Sequence, residues 1–264
     1  GVNAIDPNFT DSELDATIAE ATTLRALCYF YLIRTFRDVP YVTSPSIDDS
    51  QNYQIAATPF ETVLESIIAD VEAVKEDAVR SYGEESVENT CRITRWACYA
   101  LLADLYLWKG DWQKCIDCCD MVINQKIKEY EKEYEENPTT MTVELYDIYP
   151  LISESLSNSN YAGNAYTEIF GAGNSFESIF ELNFVNNQSV ANNTVSSFYG
   201  SSSNKTGQIG APTFLYSDAY AGLNDYFAKT DCRYLENMSE SNNKIYISKY
   251  VNQSVSFRTS TTTG

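Results

Sequence analysis

Apolar side chains recur at helical spacing through the first half of the chain. Between residues 11 and 37 they include Ala19, Leu24, Cys28 and Tyr31, and this three-to-four-residue period is typical of a helix. A helix is expected to stop before Pro40, because proline has no amide hydrogen to donate. Residues 38–57 then form a loop of about twenty residues, a length that is usually functional in compact proteins.

A second helix is predicted to begin at Thr58-Pro59-Phe60-Glu61. Thr58 suits the cap, Pro59 suits the first helical position, and Glu61 completes a capping box. The helix behind this start carries one continuous apolar stripe. The stripe consists of Phe60, Val63, Leu64, Ile67, Ile68, Val71 and Val74.

A pair of helices follows a polar, acidic connection at residues 81–92. The first helix runs over residues 94–109, Gly110 ends it in a left-handed conformation, and Asp111 caps the next helix up to about residue 124. Helices joined so tightly are expected to lie antiparallel and to pack on each other. The second helix would pack through Trp112, Cys115, Ile116, Cys119, Val122 and Ile123. Residues 125–136 are rich in Glu, Lys and Tyr, and we interpret them as an exposed extension.

The character of the sequence changes after Asn137-Pro138. Residues 139–264 are dense in Ser, Thr, Asn, Gly and Tyr, and helical periodicity is weak. Alternating apolar residues predict short strands at residues 178–184 and 245–251. We therefore predict a mainly α protein with two domains, a helical scaffold at residues 1–136 and an irregular, loop-rich, ligand-binding lobe at residues 137–264.

Charge narrows the range of partners. The net charge is −19, from 37 acidic and 18 basic residues, so nucleic acids and anionic lipids would be repelled. A neutral or cationic ligand fits this balance. No apolar stretch approaches the roughly 18 residues that span a bilayer. No signal peptide opens the chain at Gly1, and we expect a targeting segment to lie outside this sequence.

The absence of histidine excludes several kinds of active site. Ser-His-Asp triads, Cys-His pairs and HExxH zinc sites all require an imidazole. Catalysis by two carboxylates, by lysine or by tyrosine stays possible. The seven cysteines include Cys98, Cys115, Cys118 and Cys119. They suit either a thiolate metal site or redox pair, or small buried packing residues, and we favour packing. We expect no catalytic residue, metal or cofactor.

Residues 102–123, LADLYLWKGDWQKCIDCCDMVI, resemble a tetratricopeptide repeat. Ala103 and Cys115 occupy the small-residue positions at which two helices approach closely, and Gly110-Asp111 forms the turn. This position of Cys115 is the reason for interpreting the thiols as packing residues.

Several further segments resemble the SusD/RagB family. They are EATTLRALCYFYLIRTFRDVPYV at residues 20–42, TRWACYALLADLYL at residues 94–107, FESIFEL at residues 176–182, and Asp231 with Arg233. The segments occur in the family's order over most of the chain. The resemblance covers the family's fold and its role, and it does not indicate the ligand.

The resemblance implies a function. Family members are surface-exposed lipoproteins of the outer membrane that capture glycans or other nutrients without cleaving them. They deliver the ligand to a TonB-dependent transporter of the SusC type. The lipid-bearing cysteine is absent from this chain, and the family usually continues into further helices. We therefore expect a fragment or an unusually short member.

A sugar is held by aromatic rings that contact its C–H faces and by polar groups that bond its hydroxyls. The second lobe interleaves tyrosines with asparagines, and its best candidates follow one another around Phe198-Tyr199-Gly200. A second group lies in or beside the long first loop. The candidate glycan-binding residues are Phe198, Tyr199, Tyr216, Tyr220, Asn193, Tyr41 and Tyr53.

Two other functions compete with glycan capture. A tetratricopeptide scaffold could bind a protein partner through its groove. A glycosidase could use two carboxylates, which must lie about 5–10 Å apart in a cleft. The excess of acidic residues permits this enzyme without indicating it.

Overall fold

A computed structural model describes residues 10–45, 54–84, 87–138, 143–152, 169–170, 173–183, 197–199, 208–210, 212, 238–241 and 244–247. The chain divides into unit 1, Gly1–Lys132, and unit 2, Glu133–Gly264. Helices build unit 1, and the described part of unit 2 contains short strands and turns. The predicted mainly α class is confirmed.

Helix α1, Asp11–Phe36, is the first predicted helix. It begins at a complete capping box, in which the Thr10 hydroxyl accepts from the Glu13 amide at 3.2 Å and the Glu13 carboxylate accepts from the Thr10 amide at 2.9 Å. This exchange satisfies amides that have no partner within the helix. Its inner face is fully buried and consists of Ala19, Thr23, Ala26, Phe30 and Ile33.

Helix α2, Phe60–Val74, begins differently from the prediction. Pro59 is its N-cap and no side chain of the local sequence caps it, so the predicted capping box is wrong. The Phe60 amide instead donates to the Asp38 carboxylate at 3.0 Å. The long-range partner replaces the local one because Val39 and Thr58 pair through both backbone hydrogen bonds, which brings Asp38 beside the helix start.

The remaining helices of unit 1 are α3, Glu88–Cys91, α4, Arg95–Lys109, and α5, Trp112–Glu136. The one-turn helix α3 lies inside the polar connection, where no helix was predicted. Thr94 caps α4, and Gly110 closes it at φ 80 with hydrogen bonds from residues 110 and 111 back to its last turn. Asp111 caps α5 by accepting from the Lys114 amide at 3.3 Å. The predicted turn is confirmed, and residues 125–136 extend α5 as predicted.

Unit 1 is held together where α1, α2 and α4 approach one another closely. The predicted apolar stripe of α2 is buried from Phe60 to Val71. The Trp108 ring joins all three helices, because it meets Phe30 edge-on at 5.9 Å and Phe60 at 6.1 Å between ring centroids. Such ring pairs stabilise a fold by roughly 1 kcal/mol beyond the area they bury.

Polar bonds also link α2 to α4. Tyr106 donates to Glu72 at 2.8 Å and Tyr99 donates to Glu76 at 2.6 Å. Arg95 forms an ion pair with Glu76 at 2.8 Å. The Tyr106 phenol thus satisfies the partly buried Glu72 carboxylate of α2, and the Tyr99 phenol bonds the more exposed Glu76 just after α2.

The apolar stripe predicted for α5 is only partly buried. Val122 is buried as predicted, but Trp112 and Ile116 are 62% and 52% exposed, and Cys119 is exposed. Cys118, which lies outside the predicted stripe, is buried instead. The prediction was wrong here because α5 contacts its neighbours through one edge of the stripe, where the Lys114 ammonium lies 5.1 Å from the Tyr106 ring.

The described cysteines divide by exposure. Cys98 and Cys118 are buried, as the packing interpretation predicts, whereas Cys28 and Cys119 are exposed and Cys115 is half-buried. Cys115 is therefore not the closely packed small residue that the repeat pattern predicted. None of the described helices combines the length and apolar composition that a bilayer crossing requires.

The described residues of unit 2 include two antiparallel hairpins. Strands β1, Val143–Tyr146, and β2, Tyr149–Ile152, were not predicted. Strands β3, Met238–Ser241, and β4, Lys244–Ile247, pair with each other. Strand β4 confirms the prediction at residues 245–251 over its described part.

The strand predicted at residues 178–184 is wrong over residues 178–183, which bend at residues 179–180 and have no regular secondary structure elsewhere. Local hydrogen bonds replace the expected ladder. The Ser178 amide donates to the Ser175 carbonyl at 3.0 Å, and the Asn174 amide donates to the Glu181 carboxylate at 2.9 Å. Ser, Asn and acidic side chains compete with strand pairing in this way.

Candidate functional site

Phe198 and Tyr199 lie in a short helical turn, at residues 197–199, beside the segment 208–210. The Ile209 amide donates to the Phe198 carbonyl at 2.8 Å. Phe198 and Ile209 are each 40% exposed, and Tyr199 is half-buried. These residues form a small apolar surface that could contact the C–H face of a sugar.

Backbone packing explains the position of this surface. The Gln208 amide donates to the Ser197 carbonyl at 3.2 Å, so both segments are fixed to each other. A Cβ atom at Gly210 would lie 3.2 Å from the Ile245 carbonyl oxygen. Glycine is therefore favoured where this segment passes strand β4, because any side chain would press on the β4 backbone.

Tyr41 lies in unit 1, where it is bound to the scaffold. Its hydroxyl donates to the Asp70 carboxylate at 3.1 Å, and Arg25 donates to the same carboxylate at 2.8 Å. Its ring meets the Tyr29 ring edge-on at 4.7 Å. Burial, aided by the negative charge of Asp70, raises the pKa of Tyr41 to about 12. The phenol therefore stays protonated and keeps donating to Asp70.

The first part of the long loop is fixed by Tyr29 as well. The Tyr29 hydroxyl donates to the Val42 carbonyl at 2.9 Å and accepts from the Val42 amide at 2.8 Å. The other end of the loop is held at Thr58, which pairs with Val39. Tyr41 thus helps to hold the first part of this loop against the helices. Its contact with a sugar stays a prediction.

The remaining candidates lie outside the described residues. They are Tyr53, Asn193, Tyr216 and Tyr220. The residues that the structure does bring together are Phe198, Tyr199 and Ile209 in unit 2, and Tyr29, Tyr41 and Asp70 in unit 1. Sequence reasoning missed Ile209 and Asp70, because only tertiary packing places them beside the candidates. It also missed Tyr146 and Tyr149, although the alternation of residues 143–146 is a strand signal.

The acidic groups of the α2–α4 interface serve the fold. Burial acts to raise the pKa of Glu72, but hydrogen bonds from Lys75 and Tyr106 hold it below its ordinary value. A general acid of a glycosidase needs the opposite shift. Over the described ranges, no three Cys, Asp or Glu side chains converge in a way that could hold a metal ion.

Comparison with known proteins relates the helical segments of unit 1 to a family. Residues 2–107 match the sequence profile of a SusD-like family described as "starch-binding associating with outer membrane". This part of the chain is similar to that family. The matched residues include the α1 segment and the α4 segment on which the resemblance to the SusD/RagB family rests.

Two curated relatives are also named SusD-like proteins. The SusD-like protein P2 of Formosa agariphila is 31% identical over 46% of this chain and 23% of its own length. The SusD-like protein P25 of the same organism is 24% identical over 47% of this chain and 23% of its own length. The chain thus spans about a quarter of the length of these curated relatives.

Solved structures align with nearly the whole chain. A SusD superfamily protein from Bacteroides thetaiotaomicron aligns with a TM-score of 0.57 at 18% identity, over 92% of this chain and 50% of its own. The surface glycan-binding protein A of Bacteroides uniformis aligns with a TM-score of 0.55 at 16% identity, over 93% and 49%. At this identity the likeness concerns the fold alone.

Proposed function

We propose that the chain captures glycans at the cell surface without cleaving them, as part of an outer-membrane lipoprotein. The observation that carries this proposal is the match of residues 2–107 to a family described as starch-binding and associated with the outer membrane. The net charge of −19 supports a neutral ligand. The half-exposed Phe198 in unit 2 supplies an apolar surface of the kind that contacts sugar rings.

A non-catalytic role agrees with the chemistry of the described residues. No histidine exists to act as an acid or base at neutral pH. Glu72 and Glu76 accept hydrogen bonds from Tyr106 and Tyr99, so they contribute to helix packing. We infer that the ligand leaves the protein chemically unchanged.

We further propose that the captured glycan is delivered to a TonB-dependent transporter of the SusC type. Support comes from the outer face of α1, where Leu24, Leu32 and Phe36 are exposed apolar residues. A helix that is apolar on both faces is typical of one that is covered on both. A protein partner would remove this surface from water.

Titration of the purified chain with neutral polysaccharides tests glycan capture. The panel includes soluble starch, a β-1,3-glucan, a β-mannan and a dextran, with alginate as the anionic comparison. We expect saturable binding to at least one neutral polymer, no binding to alginate, and no new reducing ends after prolonged incubation. Absence of binding to every neutral polymer would contradict the proposal, and release of reducing ends would favour the glycosidase.

Substitutions of Phe198 and Tyr199 test whether these residues contact the glycan. Phe198→Ala combined with Tyr199→Ala is expected to weaken binding about tenfold or more, because each stack contributes roughly 1 kcal/mol. Ile116→Ala is the matched control, since Ile116 is exposed on α5 in unit 1. Equal affinity of both variants would exclude Phe198 and Tyr199 from the site.

Co-purification with a SusC-type transporter, compared between the native chain and Leu32→Glu, tests the protein partner.

A further inference from the structure

The β1–β2 hairpin presents two tyrosines side by side. Tyr146 and Tyr149 are directly opposite each other in the register, next to the two-residue loop of Asp147 and Ile148. Directly opposed residues of an antiparallel pair lie on the same face with Cβ atoms about 5 Å apart. Each tyrosine is 44% exposed. The end of the hairpin therefore carries a paired aromatic surface that is accessible to a ligand.

The inner face of this hairpin is buried at three of its four positions, whereas Leu145, opposite Pro150, is 49% exposed. Val143 and Ile152 are opposed and buried, and Pro150 on the same face is also buried. The Ile152 amide donates to the Glu177 carboxylate at 2.9 Å, which fixes the end of β2. Side chains alternate between faces along a strand. The tyrosine pair therefore belongs to the outer face, together with the opposed pair Glu144 and Leu151.

The loop keeps the tyrosine pair in place. Asp147 has φ 61, and a positive φ at the first loop position is typical of the primed turns that close two-residue hairpins. Aspartate tolerates this conformation better than most residues. The pair is thus set by the backbone register of β1 and β2, and it needs no rearrangement to receive a flat ligand.

We propose that Tyr146 and Tyr149 form a binding platform for a neutral hexose chain, with Asp147 as a hydrogen-bond acceptor for sugar hydroxyls. The proposal rests on glycan capture as the function, and it adds a second contact region to the Phe198 surface. Tyrosine suits this role because its ring contacts C–H groups while its hydroxyl bonds polar groups.

Size distinguishes this ligand from a protein partner. A large aromatic side chain buries about 150–250 Å² when fully covered, so two half-exposed tyrosines offer on the order of 200 Å². A stable protein interface needs about 800 Å² from each partner. Strands of four residues cannot provide that area, whereas a few sugar rings need no more than the tyrosine pair and its neighbours.

Charge restricts the ligand further. Glu144 shares the face of the tyrosines, and Asp147 lies in the adjoining loop. The Asp147 carboxylate beside the rings and the net charge of −19 repel uronate and sulfated polymers, and a second copy of the chain would also be repelled. A neutral chain of hexoses avoids this repulsion and can donate a hydroxyl hydrogen to Asp147.

The test measures the affinity of hairpin variants for the neutral polymer that binds the native chain most tightly. Tyr146→Ala with Tyr149→Ala is expected to weaken binding about tenfold or more, because two stacks are lost. Tyr146→Phe with Tyr149→Phe keeps the rings and should retain most of the affinity. Tyr130→Ala with Tyr134→Ala is the control, a tyrosine pair four residues apart on α5, and it should bind like the native chain.

Nitration of the native chain by tetranitromethane gives an independent measurement, because it needs no variant that folds. Mass spectrometry of the peptide containing residues 143–152 should show less nitration of both tyrosines when the polymer is bound. If the native chain binds but the double alanine variant binds equally well, or nitration is unchanged, the hairpin platform is wrong and glycan capture stands. If no polymer binds the native chain, glycan capture itself is wrong.

Discussion

The Asp38 carboxylate accepts a hydrogen bond from the Phe60 amide at 3.0 Å, across 22 residues of sequence. It caps a helix whose own flanking residues leave that amide without a side-chain partner. The same contact closes the base of the long loop between α1 and α2, next to the pairing of Val39 with Thr58. Helix initiation and loop anchoring therefore depend on one carboxylate.

Asp38→Ala is expected to destabilise α2 by about 1 kcal/mol, the usual cost of removing a helix cap. Asp38→Asn keeps an acceptor and should recover most of the loss. Amide hydrogen exchange of the first turn of α2 measures the effect directly. Thr58→Val is the control, since it removes the hydroxyl that the local capping box would need. Faster exchange in Thr58→Val than in Asp38→Ala would contradict the assigned cap.

The two tryptophans beside the Gly110 turn should respond differently to truncation. Trp108→Ala removes ring contacts to Phe30 and Phe60. Because Trp108 is itself 47% exposed, we expect a loss of about 1–2 kcal/mol in the unfolding free energy of unit 1, from the two ring pairs. Trp112→Ala removes a ring that is 62% exposed and should change stability by less than about 0.5 kcal/mol. Urea unfolding followed by far-ultraviolet circular dichroism compares them, and equal losses would contradict the role of Trp108.

Cysteine alkylation should follow burial. Burial raises the pKa of the Cys98 thiol, and it raises the pKa of Cys118 to about 11, so neither thiolate forms readily near neutral pH. Iodoacetamide at pH 8 is expected to modify the exposed Cys28 while Cys98 and Cys118 stay unmodified. All three should react in denaturant. Peptide mass mapping reports each site, and rapid native labelling of Cys118 would show that the inner face of α5 is not covered.

Acid should weaken the junction between α1 and the start of α4. The Glu20 carboxylate accepts from Arg92 at 2.6 Å and from the Ile93 amide at 3.3 Å. The hydrogen bond from Arg92 holds the pKa of Glu20 below its ordinary value. The folded pKa is thus lower than the unfolded value of about 4.3. This stabilisation is present above pH 4.3 and disappears as the pH falls through the folded pKa.

Glu20→Gln tests this linkage. We expect it to lower stability at pH 7 by about 1 kcal/mol and to flatten the decline between pH 5 and pH 3. Hydrogen exchange of α1 amides, measured across that range, gives the local free energy. Glu61→Gln is the control, because Glu61 and its partner Arg37 are both largely exposed. An unchanged pH profile in Glu20→Gln would contradict the assigned cause.

Sequence periodicity determined the long helices of unit 1, whereas the one-turn helix α3 was not predicted. Local signals marked α1, the Gly110 turn and the cap at Asp111, because those signals act between residues a few positions apart. A one-sided apolar stripe likewise identified the buried face of α2. The resemblance to the SusD/RagB family rested partly on the same segments, because its landmarks include α1 and α4.

Only the tertiary structure decided which long-range partners complete these elements. Asp38 caps α2 because the Val39–Thr58 pairing brings it beside the helix start. Residues 178–183 form no strand, and there Glu181 accepts hydrogen bonds from Asn174 and Ser178. Trp112 and Ile116 repeat at helical spacing yet stay exposed, because periodicity identifies an apolar face and cannot tell whether another element covers it.

Tyr146 lies opposite Tyr149 only once the hairpin register is formed. Short-range order is encoded by adjacent residues, whereas burial and pairing depend on what the folded chain brings near.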